Sequence, residues 1–408
     1  MLSGAYPIPA NNGAKRRILA SASCFSQRHE VTLVSLQAQE PGRQLIEENN
    51  HLWKDYVVDF PLQSRSRVAL KSCLSRCSYG QVKYWNDEYK TLVVTLLNAN
   101  HYDALWLHTL NMAPYIQQYF TTNGEQPKRS RPFIILDQQN VDELYFKSFV
   151  RCKTNLIWRI FATMEMVKAR RVQKLWFPRF DMILCVAPED LHATARYINS
   201  RTNLCLAPNA VDIDYFYPKA VSGSWSTSPM LVFGGSLDVA MNQDAVSWFV
   251  SDVLPTIEQQ IEDVHFMIVG KDPPPEIRDL AKQQGIIVTG TVPDVRDYYQ
   301  QADVFVVPLR TGGGTKVKTL EAMAMGLPVV STSVGAQGLE VESGRHLIIA
   351  DNARDFSTSV IELVKECQKA KSIGVEARRF VEQRYSWAIV MDLVDHEIMR
   401  YYDKFAKI

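Results

Sequence analysis

Two lysines and one glutamate follow a run of three glycines in the second half of the sequence. The stretch PLRTGGGTKVKTLEAMAMG occupies residues 308–326. Glycines let the backbone approach a bound group closely, and N–H groups at a helix start attract anions. Lys316 and Lys318 carry charge suited to a phosphate, and Glu321 adds a single carboxylate. The stretch predicts a site for a phosphorylated ligand; a tight turn with solvated lysines is the alternative.

The segments on either side place the glycines in a strand-to-helix loop. ADVFVVP (302–308) is a continuous apolar run, typical of a strand buried on both faces of a parallel sheet. KVKTLEAMAMG (316–326) favours a helix that ends at Gly326, and LPVVSTS (327–333) favours another strand. Such loops lie at the carboxyl ends of strands, where open α/β sheets bind ligands. A Walker A loop is excluded because G-x-x-x-x-G-K-[ST] is absent.

The rest of the chain repeats this alternation of strands and helices in two series. We therefore expect an α/β protein with two doubly wound parallel sheets. Long helices are expected over 158–177, 353–384 and 386–405. The expected strands of the first series are 29–36, 102–110, 132–140, 180–188 and 202–212, and those of the second are 230–235, 264–270, 286–292, 303–309, 327–333 and 346–350.

The length of 408 residues exceeds what one hydrophobic core usually organises, so we expect two domains. The division is expected at 216–229, which is rich in Ser, Gly and Pro. This gives an N-terminal domain over 1–215 and a C-terminal domain over 230–385. Two domains of this kind would face each other across a deep cleft, a usual place for a ligand.

Charge is unevenly distributed along a nearly neutral chain. Residues 1–215 contain 26 Lys and Arg against 19 Asp and Glu, whereas the remainder contains 19 and 25. The basic half fits an anionic partner, such as a membrane leaflet or a phosphorylated lipid. An uneven distribution without function is the alternative. Nucleic acid is not expected, because the basic residues do not alternate with aromatic ones as in a stacking platform.

Several features bear on localisation and metal binding. The sequence has no apolar run of 18 residues and no signal-peptide pattern, so we expect a cytoplasmic protein, with peripheral contact to the inner membrane face as an extension. Seven scattered cysteines form no zinc-ligand pattern and are expected to be reduced thiols. Residues 62–90 are basic and predict either helices or a mobile flap. Before YPIPANNGAKRR, only MLSGA is available for a first strand.

Five stretches carry a resemblance to a known family. Residues 292–339, VPDVRDYYQQADVFVVPLRTGGGTKVKTLEAMAMGLPVVSTSVGAQGL, resemble the donor-site segment of GT-B glycosyltransferases of the retaining family 4. They are most similar to the subset with GGGT followed by LEAMAMG. Weaker similarities to the same family lie at YPIPANNGAKRR (6–17), ILDQQNVDELY (135–145), FDMILCVAPED (180–190) and APNAVDIDYFYP (207–218).

The resemblance implies a GT-B fold and a retaining glycosyltransferase of the hexosyltransferase type. The donor, a nucleotide-diphosphate sugar, would bind the C-terminal domain, and a glycan or lipid-linked acceptor would bind the N-terminal one. No metal and no further cofactor would be required. The final helix, 386–408, would pack back on the N-terminal domain. A role in polysaccharide or glycoconjugate biosynthesis follows by analogy.

Carried over residue by residue, the resemblance makes Glu321 the ligand of the ribose hydroxyls. The family often has a second glutamate eight residues earlier, but this chain has Gly313 there. Relatives also place Arg and Lys in the loop after the first strand of the C-terminal domain, where this chain has Ser236 and Asn242. We therefore expect other cations to hold the diphosphate, namely Arg310, Lys316 and Lys318.

The other expected site residues lie in both domains. Gln139 replaces a family histidine near the reaction centre and, with Gly313, Lys316 and Lys318, forms the expected catalytic set. Donor contacts are further expected from Gly13, Gly234, Gly235, Ser236, Val292, Asp294, Gly312, Gly314 and Thr315, and acceptor contacts from Asn12, Lys15, Arg16 and His108.

Two other functions remain open at this stage. A nucleotide-sugar epimerase would use the same fold, but the acidic and histidine bases expected of it are missing. A catalytically degenerate sugar-nucleotide-binding partner protein is the alternative from another class. The replacements at Ser236, Asn242, Gly313 and Gln139 keep this second alternative open.

Overall fold

The computed structural model describes residues 1–10, 12–37, 53–60, 64–120, 131–152, 156–218, 228–312 and 314–406. It contains two compact units, Met1–Pro208 with Val390–Ile408, and Asn209–Ile389. The first unit ends at Pro208, earlier than the boundary expected at residue 215. The residues that follow Pro208 form hydrogen bonds within the second unit. The Val211 amide donates to the Tyr385 carbonyl at 2.9 Å, and Arg378 donates to the Phe216 carbonyl at 2.7 Å.

The first unit is built on a seven-stranded sheet in which every pairing is parallel. The order across the sheet is β3-β2-β1-β4-β5-β6-β7. Chain order reverses between β1 and β4, which makes this the topological switch point of the sheet. The strands are β1 (Leu2–Ser3), β2 (Thr32–Gln37), β3 (Lys54–Asp59), β4 (Ala104–Leu107), β5 (Phe133–Gln138), β6 (Met182–Cys185) and β7 (Asn203–Leu206).

Helices connect these strands and cover the sheet. Short 3₁₀ segments lie at Leu110–Phe120 and Phe177–Arg179. The α-helices are α1 (Gly13–Ser26), α2 (Arg65–Cys73), α3 (Tyr79–Lys83), α4 (Asp87–Ala99), α5 (Asp142–Cys152), α6 (Leu156–Trp176) and α7 (Pro188–Ala195).

The second unit repeats the plan with six parallel strands. Their order is β10-β9-β8-β11-β12-β13, so the switch point lies between β8 and β11. The four side chains of β11 are all 0% exposed, as expected for a strand covered on both faces. The strands are β8 (Met230–Gly234), β9 (His265–Val269), β10 (Ile286–Gly290), β11 (Val304–Val307), β12 (Val329–Ser331) and β13 (Ile348–Ile349).

The helices of the second unit follow the same alternation. A π-helical turn, Phe249–Val253, joins α8 to α9, and a 3₁₀ turn covers Asp279–Lys282. The α-helices are α8 (Ala240–Trp248), α9 (Leu254–Glu258), α10 (Pro275–Arg278), α11 (Arg296–Tyr299), α12 (Val317–Ala324), α13 (Ala353–Lys365), α14 (Cys367–Arg384) and α15 (Trp387–Ala406).

From Val390 onward, helix α15 belongs to the first unit. Its Asp395 accepts hydrogen bonds from Arg28 at 3.1 Å and pairs with His29 at 2.9 Å. The ring of Phe405 lies 5.4 Å from that of Phe133 on β5. Polar contacts at one end of the helix segment and aromatic contacts at the other therefore hold it against the first sheet.

The two doubly wound sheets confirm the predicted fold class, and all eleven expected strands are present. The first strand, for which only MLSGA was available, is present as the two-residue β1. One strand was missed: β3 (KDYVVD) lies at the sheet edge, where alternating polar residues weaken the apolar signal. The single helix expected over 353–384 is wrong, because Glu366 has non-helical dihedral angles (φ −105°, ψ 72°) and divides it. The described part of 62–90 is mainly helical.

Candidate functional site

The candidate site lies at the carboxyl ends of β8 and β11, on the switch point of the second sheet. Strand β8 ends at Gly234, and the loop after it starts at Gly235. The glycine-rich loop after β11 leads into α12. Gly235 has φ 151°, a conformation that favours glycine. A Cβ added there would lie 2.5 Å from Nζ of Lys318, so this glycine leaves room for the ammonium group.

Lys318 reaches from α12 across to the first turn of α8. Its Nζ donates to Oδ1 of Asn242 at 2.7 Å and lies 4.2 Å from the centre of the Phe233 ring. Asn242 is 7% exposed, and its amide donates to the Ser236 carbonyl at 2.7 Å. Asn242 and Ser236, which replace the cations expected in the segment after β8, therefore fix the position of a lysine that comes from another helix.

The electrostatics at Lys318 favour an anionic ligand. No described carboxylate forms an ion pair with its ammonium group. Removal from water, together with the nearby charge of Lys316, lowers the pKa of Lys318 to about 7. A bound phosphate would oppose this shift and raise the pKa of Lys318, because a negative charge favours the protonated lysine.

Lys316 lies beneath the glycine-rich loop. It is 8% exposed, and its Nζ donates to the Gly314 carbonyl at 2.8 Å. Gly312 and Gly314 have φ of 130° and 67°, and these left-handed conformations fold the loop over the lysine. Oγ1 of Thr311 is buried and has no hydrogen-bond partner among the described residues. Gly313, one of the expected catalytic residues, lies outside the described residues.

Glu321 is buried on the same helix, at 6% exposure. It lies in the second turn of α12, which starts at Val317 after the non-helical Lys316 (φ −88°, ψ 101°). Residues three apart on a helix lie on one face, which places Glu321 beside Lys318. Thr319 anchors the helix by donating to the Gly335 carbonyl at 2.8 Å. Thr315, at the end of the loop, is also buried.

Arg310 turns away from the two lysines. Its Nε donates to Oδ2 of Asp244 at 3.0 Å, and its guanidinium lies 5.6 Å from the Trp248 ring. Arg310 and Asp244 therefore neutralise each other on the α8 side of the loop. A contact between Arg310 and a phosphate stays a prediction, and it would require this pair to open.

The loop after β10, expected near the nucleotide base, is fixed by an aromatic and ionic cluster. Asp294 accepts from Nε of Arg296 at 2.9 Å and from the Tyr215 hydroxyl at 3.2 Å. The Arg296 guanidinium lies 3.7 Å from the Tyr215 ring centre. Hydrogen bonding from Arg296 lowers the pKa of Asp294. Val292, two residues before Asp294, is partly buried. The expected contacts of Val292 and Asp294 with the nucleotide base stay predictions.

In the first unit, the loop before α1 is organised by its own residues. Oδ1 of Asn12 accepts from the Lys15 amide at 3.0 Å, so Asn12 is the N-cap of α1 and Gly13 is its first residue. Nζ of Lys15 and Nε of Arg16 donate to the Pro9 and Ala10 carbonyls at 3.4 and 3.1 Å. These contacts close the loop, and acceptor binding by the same side chains stays a prediction.

His108 follows β4 and is buried inside the first unit, with 1% exposure. Its Nδ1 lies 3.3 Å from Oδ2 of Asp137, and its Nε2 lies 3.4 Å from Oγ of Ser21. Asp137 also binds Arg17 at 2.8 Å, and both side chains are 0% exposed. Burial lowers the pKa of His108. His108 is part of a buried polar network with Asp137 and Ser21, and acceptor binding by His108 stays a prediction.

Gln139 has a different environment, immediately after β5. Its Nε2 is buried without a hydrogen-bond partner among the described residues, and so is Oε1 of the neighbouring Gln138. A buried amide without a partner is costly, so this position is suited to a bound polar group. Asp142, three residues on, was missed by sequence reasoning. Burial, with the charge of Glu165, raises the pKa of Asp142 to about 6.

Parts of the chain are similar to known proteins in sequence, and the whole chain is similar in fold. Residues 228–366 match the family model described as Glycosyl transferases group 1. A Klebsiella pneumoniae protein, described as an uncharacterized 44.6 kDa protein in the cps region, is 20% identical over 93% of this chain and 94% of its own length. A GDP-mannose-dependent alpha-(1-6)-phosphatidylinositol monomannoside mannosyltransferase from Mycolicibacterium smegmatis is 26% identical over 47% of this chain, and the match spans only 57% of that enzyme.

A solved structure shows the same fold over the whole chain. HepE from Anabaena, in complex with UDP and glucose, has a TM-score of 0.65 and 14% identity, and the match covers 98% of this chain and 99% of HepE. The family match lies on the domain that carries the lysines and the glycine-rich loop, and the full-length fold match extends the likeness to both units. Residues 228–366 therefore resemble the group 1 glycosyltransferases, and the chain has the GT-B fold.

Proposed function

We propose that this protein transfers a hexosyl group from a nucleotide-diphosphate sugar to an acceptor, with retention of anomeric configuration. The observation that carries the proposal is the position of Lys316 and Lys318. Both ammonium groups lie at the switch point of the second sheet, beside a glycine-rich loop. Two adjacent lysines with one lowered pKa form a site that a diphosphate would complete.

The lysines also suggest how bond cleavage is assisted. When the glycosidic bond to the donor breaks, negative charge grows on the departing diphosphate. Lys318 is held in place before the donor arrives, by Asn242 and by the Phe233 ring, so little reorganisation is needed. We propose that these ammonium groups supply the positive charge, and that catalysis needs no metal ion and no further cofactor.

Orientation of the donor is assigned to the surrounding groups. Glu321 would accept hydrogen bonds from the ribose hydroxyls, since a buried carboxylate is a strong acceptor. Backbone N–H groups of Gly314 and Thr315 would hold sugar or phosphate oxygens, and the loop at Val292 and Asp294 would contact the base. In a retaining transfer of this type, the departing phosphate itself accepts the proton of the acceptor hydroxyl, so no protein base is required.

The acceptor is assigned to the first unit, and its class is a glycan or a lipid-linked glycan. The buried Nε2 of Gln139 has no hydrogen-bond partner among the described residues, which supports polar binding at the carboxyl end of β5. The names of the relatives support the class, because one acts on a phosphatidylinositol monomannoside and another lies in a cps region. We propose a role in polysaccharide or glycoconjugate biosynthesis at the cytoplasmic side of a membrane. Within the described residues, no helix is both long and apolar enough to span a bilayer.

A catalytically degenerate nucleotide-sugar binder is the second candidate. It is favoured by Ser236 and Asn242, where relatives carry cations in the segment after β8, and by Gln139 in place of a histidine. This candidate retains donor binding and lacks turnover. The two candidates therefore differ in one measurable property, the turnover of the donor.

The test is a turnover assay with chelator present. Labelled UDP-, GDP-, ADP- and TDP-sugars are incubated with the protein and a mixture of lipid-linked and free glycan acceptors. The first proposal expects transfer of label to an acceptor, and nuclear magnetic resonance of the product should show the anomeric configuration of the donor. Binding of a nucleotide sugar without transfer or hydrolysis would favour the degenerate binder. A product of opposite configuration would contradict retention.

A further inference from the structure

A partly exposed tryptophan lies in the short loop between α3 and α4 of the first unit. Trp85 is 39% exposed, and its ring lies 5.4 Å from the Tyr115 ring, with 8° between the two ring planes. Tyr115 is only 2% exposed, so it supports one face of the indole, and the exposed area of Trp85 belongs to the opposite face and the edge. A supported aromatic ring of this kind offers an apolar surface to a flat ligand, and nothing in the proposed chemistry uses it.

The loop that carries Trp85 is fixed by one hydroxyl group. Oη of Tyr115 donates to the Tyr84 carbonyl at 2.6 Å and accepts from the Asn86 amide at 2.8 Å. Nε1 of Trp85 donates to Oδ1 of Asp87 at 3.2 Å. The indole and both of its chain neighbours are therefore held in place before any ligand binds, which lowers the entropy cost of binding.

The same loop lies at the carboxyl ends of β1 and β4, on the switch point of the first sheet. A Cβ added at Gly4, the residue after β1, would lie 2.9 Å from the Tyr84 ring and 3.4 Å from Cε of Met112, which follows β4. A Cβ added at Gly80 on α3 would clash with the side chain of Asn111, which belongs to the same segment after β4. Because open α/β sheets bind ligands at the switch point, the loop lies where a ligand of the first unit is expected.

Two lysines lie against the aromatic rings of this loop. Nζ of Lys83 lies 4.7 Å from the centre of the Tyr84 ring, and Nζ of Lys90 lies 5.5 Å from the centre of the Trp85 ring. Among the residues that the structure describes, neither ammonium group forms an ion pair with a carboxylate. The sequence contains no Asp or Glu from residue 60 to residue 86. The charge beside the exposed indole is therefore suited to a ligand with a negative group.

We propose that Trp85, Lys83 and Lys90 bind a sugar ring of the acceptor that carries an anionic group. The C–H groups of a pyranose ring form an apolar face that would be removed from water against the indole. A carboxylate or phosphate on the same sugar would accept charge-assisted hydrogen bonds from the two lysines. A stable protein interface buries roughly 800 Å² on each side, far more than one exposed indole offers. The inference rests on the proposed function, because it names the class of acceptor that the first unit would bind.

The test is calorimetric titration of the full chain with sugars, without a donor. The probes are a hyaluronan tetrasaccharide, which carries glucuronate, glucose 6-phosphate, and the neutral chitotetraose. One of the anionic probes should bind at least about tenfold more tightly than chitotetraose, and about 0.5 M salt should remove most of this difference by screening. The two anionic probes distinguish a carboxylate from a phosphate as the recognised group. Equal binding of anionic and neutral probes, or binding of none, overturns the proposal.

Variants locate the contact. Trp85→Ala should weaken binding of the anionic probe at least about tenfold, whereas Trp85→Phe should retain most of it, because an aromatic ring remains. Lys83→Gln with Lys90→Gln should remove the preference for the anionic probe over chitotetraose. The matched control is Trp158→Ala, because Trp158 is 45% exposed on α6 of the same unit. Circular dichroism checks that each variant is folded, and the lysine variant keeps the test decisive if Trp85→Ala does not fold. Wild-type binding by folded variants overturns the assignment.

Nucleotide binding and transfer separate this inference from the proposed function. Nucleotide titrations are run on the same samples, since the candidate donor site lies in the second unit and Trp85 in the first. In a transfer assay, Trp85→Ala should raise KM for the acceptor about tenfold with little change in kcat. Sugar binding at Trp85 without nucleotide binding would reject the proposed function and retain the sugar site. Nucleotide binding and transfer with an unchanged acceptor KM in Trp85→Ala would do the reverse.

Discussion

The ammonium group of Lys318 lies 2.7 Å from Oδ1 of Asn242, although 76 residues separate them in the chain. Asn242 stands where relatives were expected to carry a cation, so the sequence suggested a missing charge. The structure places the ammonium group of Lys318 at this position, from the opposite side of the switch point, with Asn242 as its hydrogen-bond acceptor. Asn242 and Lys318 thus form one hydrogen-bonded pair at the candidate site.

Glu321→Ala should weaken nucleotide binding by about 1–3 kcal/mol, the scale of hydrogen bonds that involve a charged group. The loss should appear equally with a nucleoside diphosphate and with its sugar, because the proposed contact is with ribose. Isothermal titration calorimetry measures both. Unchanged affinity in a folded variant would remove Glu321 from the site.

Nucleotide affinity should fall as pH rises above 7. The pKa of Lys318 in the free protein is lowered to about 7, so the lysine loses its proton as pH rises through that value. A bound diphosphate favours the protonated form, so the complex takes up a proton at pH 8 and 9. Affinity should then fall by up to tenfold per pH unit. Calorimetry in HEPES and in Tris, whose ionisation enthalpies differ, measures the uptake.

The lowered pKa of Lys318 also makes the stability of the folded protein depend on pH. The folded pKa of Lys318 lies below its ordinary value of 10.5, so the protonated lysine destabilises the fold below pH 7. This cost should disappear as pH rises from 7 towards 10.5. Lys318→Met should abolish both effects. Proton uptake at pH 8 that persists in the Lys318→Met variant would show that another group titrates.

Gly235→Ala should weaken nucleotide binding about tenfold or more. The new Cβ would lie 2.5 Å from Nζ of Lys318 and 3.1 Å from Nδ2 of Asn242, so the ammonium must move. The control is Gly344→Ala, since Gly344 has φ of 85° but open space around its Cβ position. In both variants an alanine with positive φ should lower the free energy of unfolding by about 1–2 kcal/mol. Only Gly235→Ala should also lose nucleotide affinity. Equal affinities would contradict the assigned geometry.

Asp137→Ala should destabilise the first unit by about 3–5 kcal/mol, because it leaves the fully buried Arg17 without its counter-charge. Urea unfolding followed by circular dichroism measures the change. Asp279→Ala is the control, since Asp279 forms an exposed pair with Lys282 at 2.7 Å and should change stability little. A small effect at Asp137 would show that water or another group compensates Arg17.

The fold was largely predictable because its signals are local. Buried parallel strands such as VFVV are continuous apolar runs, and Gly326 marks the end of α12. The exceptions have physical reasons. β3 alternates polar and apolar residues at a sheet edge, and the break at Glu366 has no proline or glycine to announce it.

The site was less predictable because its contacts join distant segments. Residue type and family resemblance placed Lys316, Lys318 and Glu321 on one loop and helix, but the Lys318–Asn242 contact depends on sheet order. Arg310 looked like a third cation until its pairing with Asp244 was visible. Asp142 gave no sequence signal, because its raised pKa comes from burial and from Glu165 on another helix.

The central claim is that Lys318 and its loop bind the diphosphate of a donor. The most direct test is a metal-free calorimetric titration of UDP, GDP, ADP and TDP into the wild-type protein and the Lys318→Met variant at pH 7, with Lys282→Met as control. We predict that at least one nucleotide binds the wild type and the control equally, and binds Lys318→Met roughly ten- to hundredfold more weakly, as expected for a lost charged hydrogen bond. No binding by the folded wild type, or equal binding by Lys318→Met, would contradict the account.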